Sequence, residues 1–406
     1  MKKKSIQRTV IVGCLTGALS ATNALAANAP LQDLLFGACA NAQGLLAIRC
    51  GETDGGAGNV SSDSESSLNP SQGLGSYYGR RDVAQDLQER SQTQLHHSEQ
   101  IDNGSFSLII NAYSGTSEYT RQVDVDSERG YDRDDEALDL GFDYRVNDTW
   151  VIGALAQLQR QRVDFVAEQP GRNFAPTGNA GEIETDAVGV SLFLSRSLGD
   201  NGYLDVSYAH TRSSYDFERN ALFQESNRVV DAVAVVTAGQ TNGVENAFSV
   251  NAGMGFEHNG WQLQPYASIN VLSTSIDDYV EADLSNSGLA MAFDMSDNDT
   301  TLATAGLRTS RTVSFAGGVM VPTLRLQYTQ PLDSNASNMR ARYVNDLDAN
   351  SLALTGTDFD QGYLDAALSV QFILPRGWMP FVEYQATTGI DDLDRWQIVA
   401  GIRKEL

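Results

Sequence analysis

A run of strict alternation over residues 261–271 limits what this chain can fold into more than any other feature. Trp, Leu, Pro, Ala, Ile and Val occupy every second position, and Gln, Tyr, Ser and Asn occupy the positions between them. A period of two predicts a β-strand with one apolar and one polar face. The polar face suits a water-filled lumen and the apolar face suits lipid, so the pattern favours a transmembrane β-barrel.

Similar segments recur from Ser105 to the C-terminus. We predict about twelve strands, an even number as in bacterial barrels. The sixth is too long for one span, so we expect it to extend past the membrane or to break at Gly239 or Gly243. The predicted strands are 105–114, 136–146, 149–163, 183–197, 202–219, 229–257, 260–275, 299–313, 318–330, 362–374, 378–388 and 394–405.

The connections between these strands alternate between short turns of Gly, Asn and Asp and longer loops such as 276–298 and 331–361. Short periplasmic turns and long outer loops are typical of outer-membrane barrels. A soluble β-sandwich would have no reason to sort its connections in this way. The turns therefore favour an antiparallel barrel in the outer membrane of a Gram-negative bacterium.

The composition excludes several classes of protein. No internal run approaches the roughly 18–20 apolar residues of a membrane-spanning helix. The formal net charge of −24 argues against nucleic acid or an anionic membrane surface as a partner. An acidic surface suits either a surface protein that faces cations or a salty habitat.

The N-terminus predicts export. Residues 1–26 read as a secretory signal, with basic residues, an apolar stretch and an A-x-A cleavage site that ends at Ala26. We therefore expect passage through the Sec translocon and cleavage near Ala26. The chain then divides into this signal, a short N-terminal segment at 27–100 and a barrel at 101–406.

Two cysteines remain after that cleavage, Cys39 and Cys50. In an exported protein such a pair predicts a disulfide. In one continuous helix their Cα atoms would lie about 16 Å apart at ~1.5 Å per residue, whereas a disulfide needs less than about 7 Å. We therefore expect the segment to fold back near Gly44. Two unpaired buried thiols are the alternative.

Two polar segments separate the cysteines from the barrel. Residues 51–78 are rich in Gly, Ser, Asp and Asn, which predicts a flexible linker. Residues 82–98 predict a helix with few apolar positions. Such a helix cannot pack in an apolar core, so it would lie in solvent or in a water-lined barrel lumen.

Several segments of the chain resemble the translocator domain of autotransporters, the type V secretion family. The resemblance covers roughly residues 100–406, and its motifs follow the family's order and spacing. It implies a twelve-stranded barrel, inserted by the outer-membrane barrel-assembly machinery, with a helix in its lumen where residues 82–98 stand. The segments that carry the resemblance are 198–220, 237–243, 253–271, 304–313 and 378–406.

The chain departs from this family at both ends. An autotransporter passenger has hundreds of residues, whereas here only residues 27–100 precede the barrel. The family's last strand ends in an aromatic residue read by the assembly machinery, whereas this chain ends in Leu406, with Lys404 breaking the apolar face. The residues expected to face lipid on this assembly strand are Trp396, Ile398, Ala400 and Ile402, before the terminal Leu406.

Four aromatic residues each follow a predicted short turn. Aromatic side chains concentrate at the interfaces of membrane barrels. We therefore expect an aromatic girdle at the inner interface, formed by Trp150, Tyr203, Trp261 and Trp378.

The sequence indicates no catalytic, cofactor or metal site. His210 near Ser213 and Ser214 is only weakly similar to the site of an outer-membrane lipase. Acidic clusters on the predicted outer loops lack the spacing of a calcium loop, so we expect a solvated acidic rim, bridged by divalent ions to lipopolysaccharide. These clusters comprise Asp124, Asp126, Glu128, Asp132, Asp134, Asp135, Glu136, Asp277, Asp278, Glu281, Asp283, Asp294, Asp297 and Asp299.

We therefore predict a non-enzymatic, monomeric outer-membrane barrel of autotransporter type, in contact with outer-membrane lipid. It would translocate or anchor its short N-terminal segment, or act as a stand-alone surface barrel. One alternative is a cation-preferring pore whose polar lumen and acidic rim select the solute. A less favoured alternative is a lipase-type enzyme of the outer rim.

Overall fold

The computed structural model describes residues 29–52, 70, 106–119, 130–166, 180–223, 232–334, 338–355, 362–390 and 393–406. Twelve long antiparallel strands form a closed barrel, because the first strand pairs with the last. This confirms the predicted fold class. The wall strands are β1 (Phe106–Tyr119), β2 (Tyr131–Asn147), β3 (Trp150–Phe165), β4 (Gly181–Leu198), β5 (Gly202–Phe223), β6 (Val233–Met254), β7 (Trp261–Ile276), β8 (Asn298–Arg311), β9 (Gly318–Ser334), β10 (Tyr363–Ile373), β11 (Trp378–Thr388) and β12 (Leu393–Glu405).

The long sixth strand does not break. β6 runs through Gly239 and Gly243 as one 22-residue strand, and both glycines pair with β5. Of the two expectations for this segment, the extension past the membrane is therefore the one the structure adopts. The wall is taller than the membrane on this side of the barrel.

The two faces of β7 show how the alternating sequence produces a membrane wall. Outward-facing residues such as Ile269 and Val271 are exposed, whereas Tyr266, Ser268 and Asn270 point into the barrel and are buried. The predicted division of this strand into a lipid face and a lumen face is therefore correct. Its outer face is apolar from Trp261 to Val271, and ten residues of a strand tilted about 40° rise about 25 Å, the height of the apolar band in such barrels.

The pairing register shows how the strands climb around the wall. Successive partners lead from Leu263 on β7 around the barrel to Ser114 on β1 and then to Asn242 on β6. The backbone N–H of Asp277 on the far side bonds to the Asn242 carbonyl. After one turn around the barrel, the row of paired residues therefore meets the chain that follows β7 at Asp277, 14 residues beyond Leu263 (277 minus 263). A row of paired residues is thus oblique and rises from the inner rim to the outer rim.

A second, smaller sheet covers the end of the barrel that carries the long connections. It corrects the expectation that residues 276–298 and 331–361 are plain loops, because both contain strands that pair with each other. The strands of this cap sheet are Tyr279–Val280, Met291–Met295, Asn338–Tyr343 and Leu352–Thr355.

Two short helices precede the barrel, α1 (Ala29–Cys39) and α2 (Gly44–Gly51). Among the helices in the described part of the chain, none is both long and apolar enough to cross a membrane. Residues 1–26 and 82–98, the expected signal and lumenal helix, lie outside the described residues, as does most of the 51–78 linker.

The apolar band predicts depth-dependent sensitivity to charge on one face of β7. Ala267→Lys places an ammonium group inside the band and should lower the free energy of unfolding by about 2–4 kcal/mol. Ser273→Lys, six residues farther out on the same face, should cost no more than about 1 kcal/mol. Urea unfolding in lipid vesicles, read by the gel-mobility shift of folded barrels, measures both. Equal costs would contradict the assigned height of the band.

Candidate functional site

The two helices form a hairpin closed by a disulfide. Cys39 and Cys50 are bonded, with their Cα atoms 5.5 Å apart. The chain reverses just before Gly44, whose φ of +58° lies in the left-handed region that glycine adopts without steric strain. The bend therefore falls where the spacing of the cysteines requires it.

Main-chain hydrogen bonds fasten this hairpin to the cap. The Gln43 backbone N–H donates to the Asn345 carbonyl (3.0 Å), and the Leu347 N–H donates to the Asn41 carbonyl (3.3 Å). The Asn41 side-chain amide also donates to the Asp348 carboxylate (3.1 Å). The turn of the hairpin thus docks on the connection between β9 and β10, at the long-loop end of the barrel.

An apolar core joins the hairpin, the cap sheet and the barrel rim. Leu35 and Leu46 of the hairpin are almost fully buried in it, together with Phe293 of the cap sheet. The same core contains Tyr119 and Phe223, at the outer ends of β1 and β5. Because burying a leucine side chain contributes about 1.5–3 kcal/mol, this core holds the hairpin on the rim more strongly than the few hydrogen bonds do.

A buried ion pair anchors the cap to the wall. The Arg219 guanidinium on β5 donates to both carboxylate oxygens of Glu281 (2.8 and 2.6 Å) and to the Leu289 carbonyl (3.0 Å). The Met291 backbone N–H donates to the same carboxylate (2.8 Å). Both charges are buried and multiply bonded, so loss of either partner would leave an uncompensated charge under the cap.

Asp283 organises the tight turn that follows. Its carboxylate accepts hydrogen bonds from the backbone N–H groups of Ser287 (3.0 Å) and Gly288 (2.6 Å) and from the hydroxyls of Ser285 and Ser287. Partial burial raises the pKa of Asp283, but these hydrogen bonds to the charged form outweigh it and leave the pKa below its usual value. Gly288 in turn packs against the backbone at Leu45 of the hairpin.

Charged and amide side chains form paired networks on the inner wall. Arg403 on β12 donates to Asp143 on β2 (2.9 and 2.7 Å) across the closing seam. Arg325 donates to Glu383 and Gln385 (3.1 Å each). Inward polar side chains elsewhere, such as Ser107 and Asn111, are at most 1 % exposed. The lumen lining is therefore shielded from solvent.

Three of the four residues of the predicted girdle face outward, and the fourth does not. Trp150, Trp261 and Trp378 face outward near the short turns, and a cation lies over each ring: Arg196 at 5.0 Å, Arg311 at 5.6 Å and Lys404 at 5.5 Å. Tyr203 instead points into the lumen, where it is buried beside Asn251.

The error at Tyr203 has a simple cause. A shift of one residue exchanges the two faces of a strand, and the distance of Tyr203 from the turn does not determine which face it occupies. Leu204, Val206 and Tyr208 face outward on the same strand. Their alternation was visible in the sequence and would have placed Tyr203 on the inner face.

The last strand has the expected orientation. Trp396 and Ile398 are exposed on the outer face, Ala400 and Ile402 continue that face, and Leu406 is exposed at the terminus. The alternate residues of this strand face inward, and among them Arg395 and Gln397 are buried.

His210 and Ser213 do not come together. His210 faces outward, with Nδ1 3.0 Å from the Asn246 side-chain oxygen, which also accepts a hydrogen bond from the Tyr208 hydroxyl (2.8 Å). Ser213 is buried on the inner face of the same strand, and Ser214 faces outward four residues from His210. Neither serine is placed as a nucleophile beside this histidine.

The acidic residues are more dispersed than the sequence suggested. Asp132, Asp134 and Glu136 stand on the outward face of β2 rather than on a loop, because that strand begins at Tyr131. Asp124, Asp126 and Glu128 lie outside the described residues. Among the residues that the structure describes, no three His, Cys, Asp or Glu side chains cluster as a metal site would require.

A closed twelve-strand barrel with short turns at one end, an apolar outer band and a polar inner wall defines a transmembrane protein of the bacterial outer-membrane class. Residues 110–385 match the family model described as the autotransporter beta-domain, and the chain belongs to that family. It is therefore an outer-membrane protein of Gram-negative type, and members of its family are in general inserted with the help of the barrel-assembly machinery.

Solved autotransporter domains are among the structures similar to this chain, and the first of the two below has the same fold. The translocator domain of the autotransporter NalP from Neisseria meningitidis has a TM-score of 0.59 at 13% identity, over 80% of this chain and 98% of that one. The beta domain of the Bordetella autotransporter BrkA has a TM-score of 0.48 at 18% identity, over 74% and 98%. No curated protein sequence matches the chain.

The disulfide predicts a local effect on stability. A double Cys39→Ser, Cys50→Ser variant loses the restriction that the bond places on the unfolded hairpin, worth about 2–3 kcal/mol for a short closed loop. The hairpin should then be cleaved faster by protease, whereas the gel-mobility shift of the barrel on heating should stay unchanged. A barrel that unfolds together with the hairpin would contradict this separation.

Asp283 predicts a response to acid. Because its folded pKa lies below the unfolded value, its contribution is present above the usual carboxyl pKa and is lost as pH falls through the folded value. Asp283→Asn should accelerate amide exchange at 285–291 at neutral pH, and this acceleration should shrink in acid. Asp294→Asn, at an exposed carboxylate of the same connection, is the matched control. An equal effect of both variants would refute the role of Asp283.

Proposed function

We propose that this barrel carries its own N-terminal segment across the outer membrane and holds residues 29–52 at the cell surface. The displayed part is the disulfide-bonded hairpin docked on the cap. The barrel and this docked hairpin would thus form one unit at the cell surface.

The position of the hairpin relative to β1 carries this proposal. The hairpin contacts the long-loop end, which faces outward in outer-membrane barrels. Phe106, the first residue of β1, lies at the opposite end, where its carbonyl accepts a hydrogen bond from the Leu406 N–H. Residues 53–105 must therefore connect the two sides of the membrane.

The route of this connection follows from its composition. The segment is rich in Gly, Ser, Asp and Asn, and in the hydrocarbon core every unpaired backbone group and charge would cost several kcal/mol. A path along the lipid side of the wall is therefore excluded on energetic grounds. The lumen, lined by polar side chains, is the remaining path, and residues 82–98 are the part proposed to occupy it.

The shielding of the inner wall favours this arrangement over a pore. An open cation channel would keep its inward polar residues in water, whereas Ser107, Asn111 and Asp139 are nearly inaccessible. The proposal also treats the barrel as non-enzymatic, which the separation of His210 from Ser213 supports. Export through the Sec translocon, with cleavage of the signal near Ala26, and a monomeric barrel complete the proposal.

Surface proteolysis in intact cells tests the proposal. A protease cleavage site inserted after Ser64 should be cut in intact cells, because that residue lies between the surface hairpin and the proposed lumenal residues 82–98. A site inserted at Gln43 in the hairpin turn should be cut as well. A site at Asn286, in an exposed turn of the cap, serves as the surface control. A site at Asn259, in a short turn, should be cut only after permeabilisation.

The position of cleavage distinguishes the outcomes. Cutting at the hairpin only after permeabilisation would place residues 29–52 in the periplasm and overturn the proposal. Protection after Ser64 together with cutting at Gln43 would keep the export step but would place the entry to the lumen before Ser64.

A further inference from the structure

We propose that an oblique groove on the outward face of the barrel binds a phosphorylated glycolipid of the outer leaflet. The groove has a volume of about 1020 Å³ and crosses β1 to β6. It does not overlap the lumen, the cap or the hairpin. The inference is therefore independent of the proposed export of the N-terminal segment.

Three consecutive residues on each of six strands line the groove; the middle one, such as Ala187 or Ser213, faces inward, and the two on either side of it face outward. The outward-facing residues form two neighbouring rows. Each row follows the pairing register from strand to strand, so both rows climb from β1 to β6. The upper one, the rim row, is polar and comprises Ser114, Glu136, Arg160, Asp186, Ser214 and Asn242. The lower one, the groove row, is apolar except for one member and comprises Ala112, Leu138, Leu158, Val188, Arg212 and Val244.

The groove lies at the upper edge of the apolar band. Arg160 on β3 and Arg212 on β5 each stand ten residues beyond the inner end of their strands, at Trp150 and Gly202. The apolar face of β7 also ends ten residues beyond its start. The lower part of the groove therefore opens into lipid, and its upper part lies at the level of the lipid headgroups.

The single charge in the groove row is the basis of the assignment. Arg212 is exposed and has no hydrogen bond or ion pair within the described residues. Arg160 in the rim row differs, because its guanidinium donates to Asp186 (2.9 Å). Arg212 is flanked by Val188 and Val244 at the edge of the membrane, where an anionic lipid headgroup can supply the partner for its charge. Arginine pairs with phosphate through two parallel hydrogen bonds.

The other groups of the groove fit the rest of such a lipid. Acyl chains would lie against Leu138, Leu158 and Val188, which are among the exposed apolar side chains of the wall. Sugar hydroxyls would meet the polar side chains of the rim row, among them Ser214 and Asn242. A water-soluble protein partner could not reach the lower row, because that row lies within the lipid layer.

Binding of lipid A by the purified full-length barrel in detergent tests the proposal. The probes are bisphosphorylated hexa-acyl lipid A and its dephosphorylated form, with affinities read by titration in native mass spectra. Arg212→Ala should weaken binding of the phosphorylated lipid about tenfold or more, because a hydrogen bond to a charged group is lost. It should leave the dephosphorylated lipid unaffected.

Two further variants sharpen the result. Arg196→Ala removes an outward arginine of β4 at the other membrane interface, over Trp150, and should leave lipid A affinity unchanged. Val188→Trp fills the floor of the groove and should weaken both forms of the lipid. Heating shifts on gels establish that each variant is a folded barrel.

The proposal fails if the Arg212→Ala variant binds lipid A as tightly as the unmodified protein does. It also fails if Arg196→Ala lowers the affinity for lipid A as much as Arg212→Ala does. Competition by inorganic phosphate at millimolar concentration would make Arg212 a site for free phosphate instead. Equal loss of both lipid forms in Arg212→Ala would also refute it, because the arginine would then act through the shape of the wall.

Discussion

The absence of water in the hydrocarbon core is the constraint on which this structure depends. Every backbone N–H and C=O of the wall must find a partner within the protein, and the pairing of β1 with β12 removes the last open edge. Once the wall is closed, side-chain chemistry divides largely by face, with a small inward apolar cluster of Ile109, Leu155 and Phe193 as an exception. Apolar residues meet lipid, and the polar side chains turn inward, where ion pairs such as Arg403–Asp143 hold the seam.

The outer end of the molecule follows different rules, because water is available there. Strands that rise past the membrane can carry alternating charges, as β2 does at Asp132 and Asp134. The cap sheet, the hairpin and the strand ends then build an ordinary apolar core, with buried leucines and stacked rings such as Tyr279 and Phe293 (4.6 Å between centroids). The chain thus contains a barrel wall that is apolar outside and polar inside, and a small apolar core of the ordinary buried kind at its outer end.

Period-two alternation and turn chemistry were enough to predict about twelve strands, the two faces of β7 and the outward face of the last strand. They did not predict the cap, because its strands are two to six residues long and give no periodic signal. The docking of the hairpin on Asn345 and Leu347 joins segments some three hundred residues apart, and no local pattern encodes it. The groove depends on register between strands, which a single sequence does not reveal, so Arg212 gave no signal in advance.

The oblique register has a consequence for the width of the central passage. In a barrel with a given number of strands, stagger and tilt together determine the diameter. The pairing at the closing seam, such as Ile110 opposite Ile402, therefore determines the diameter of this barrel. A seam that slipped by two residues would keep every side chain on its own face. It would nevertheless change the diameter of the lumen, and therefore the size of the polypeptide segment that the lumen can accommodate.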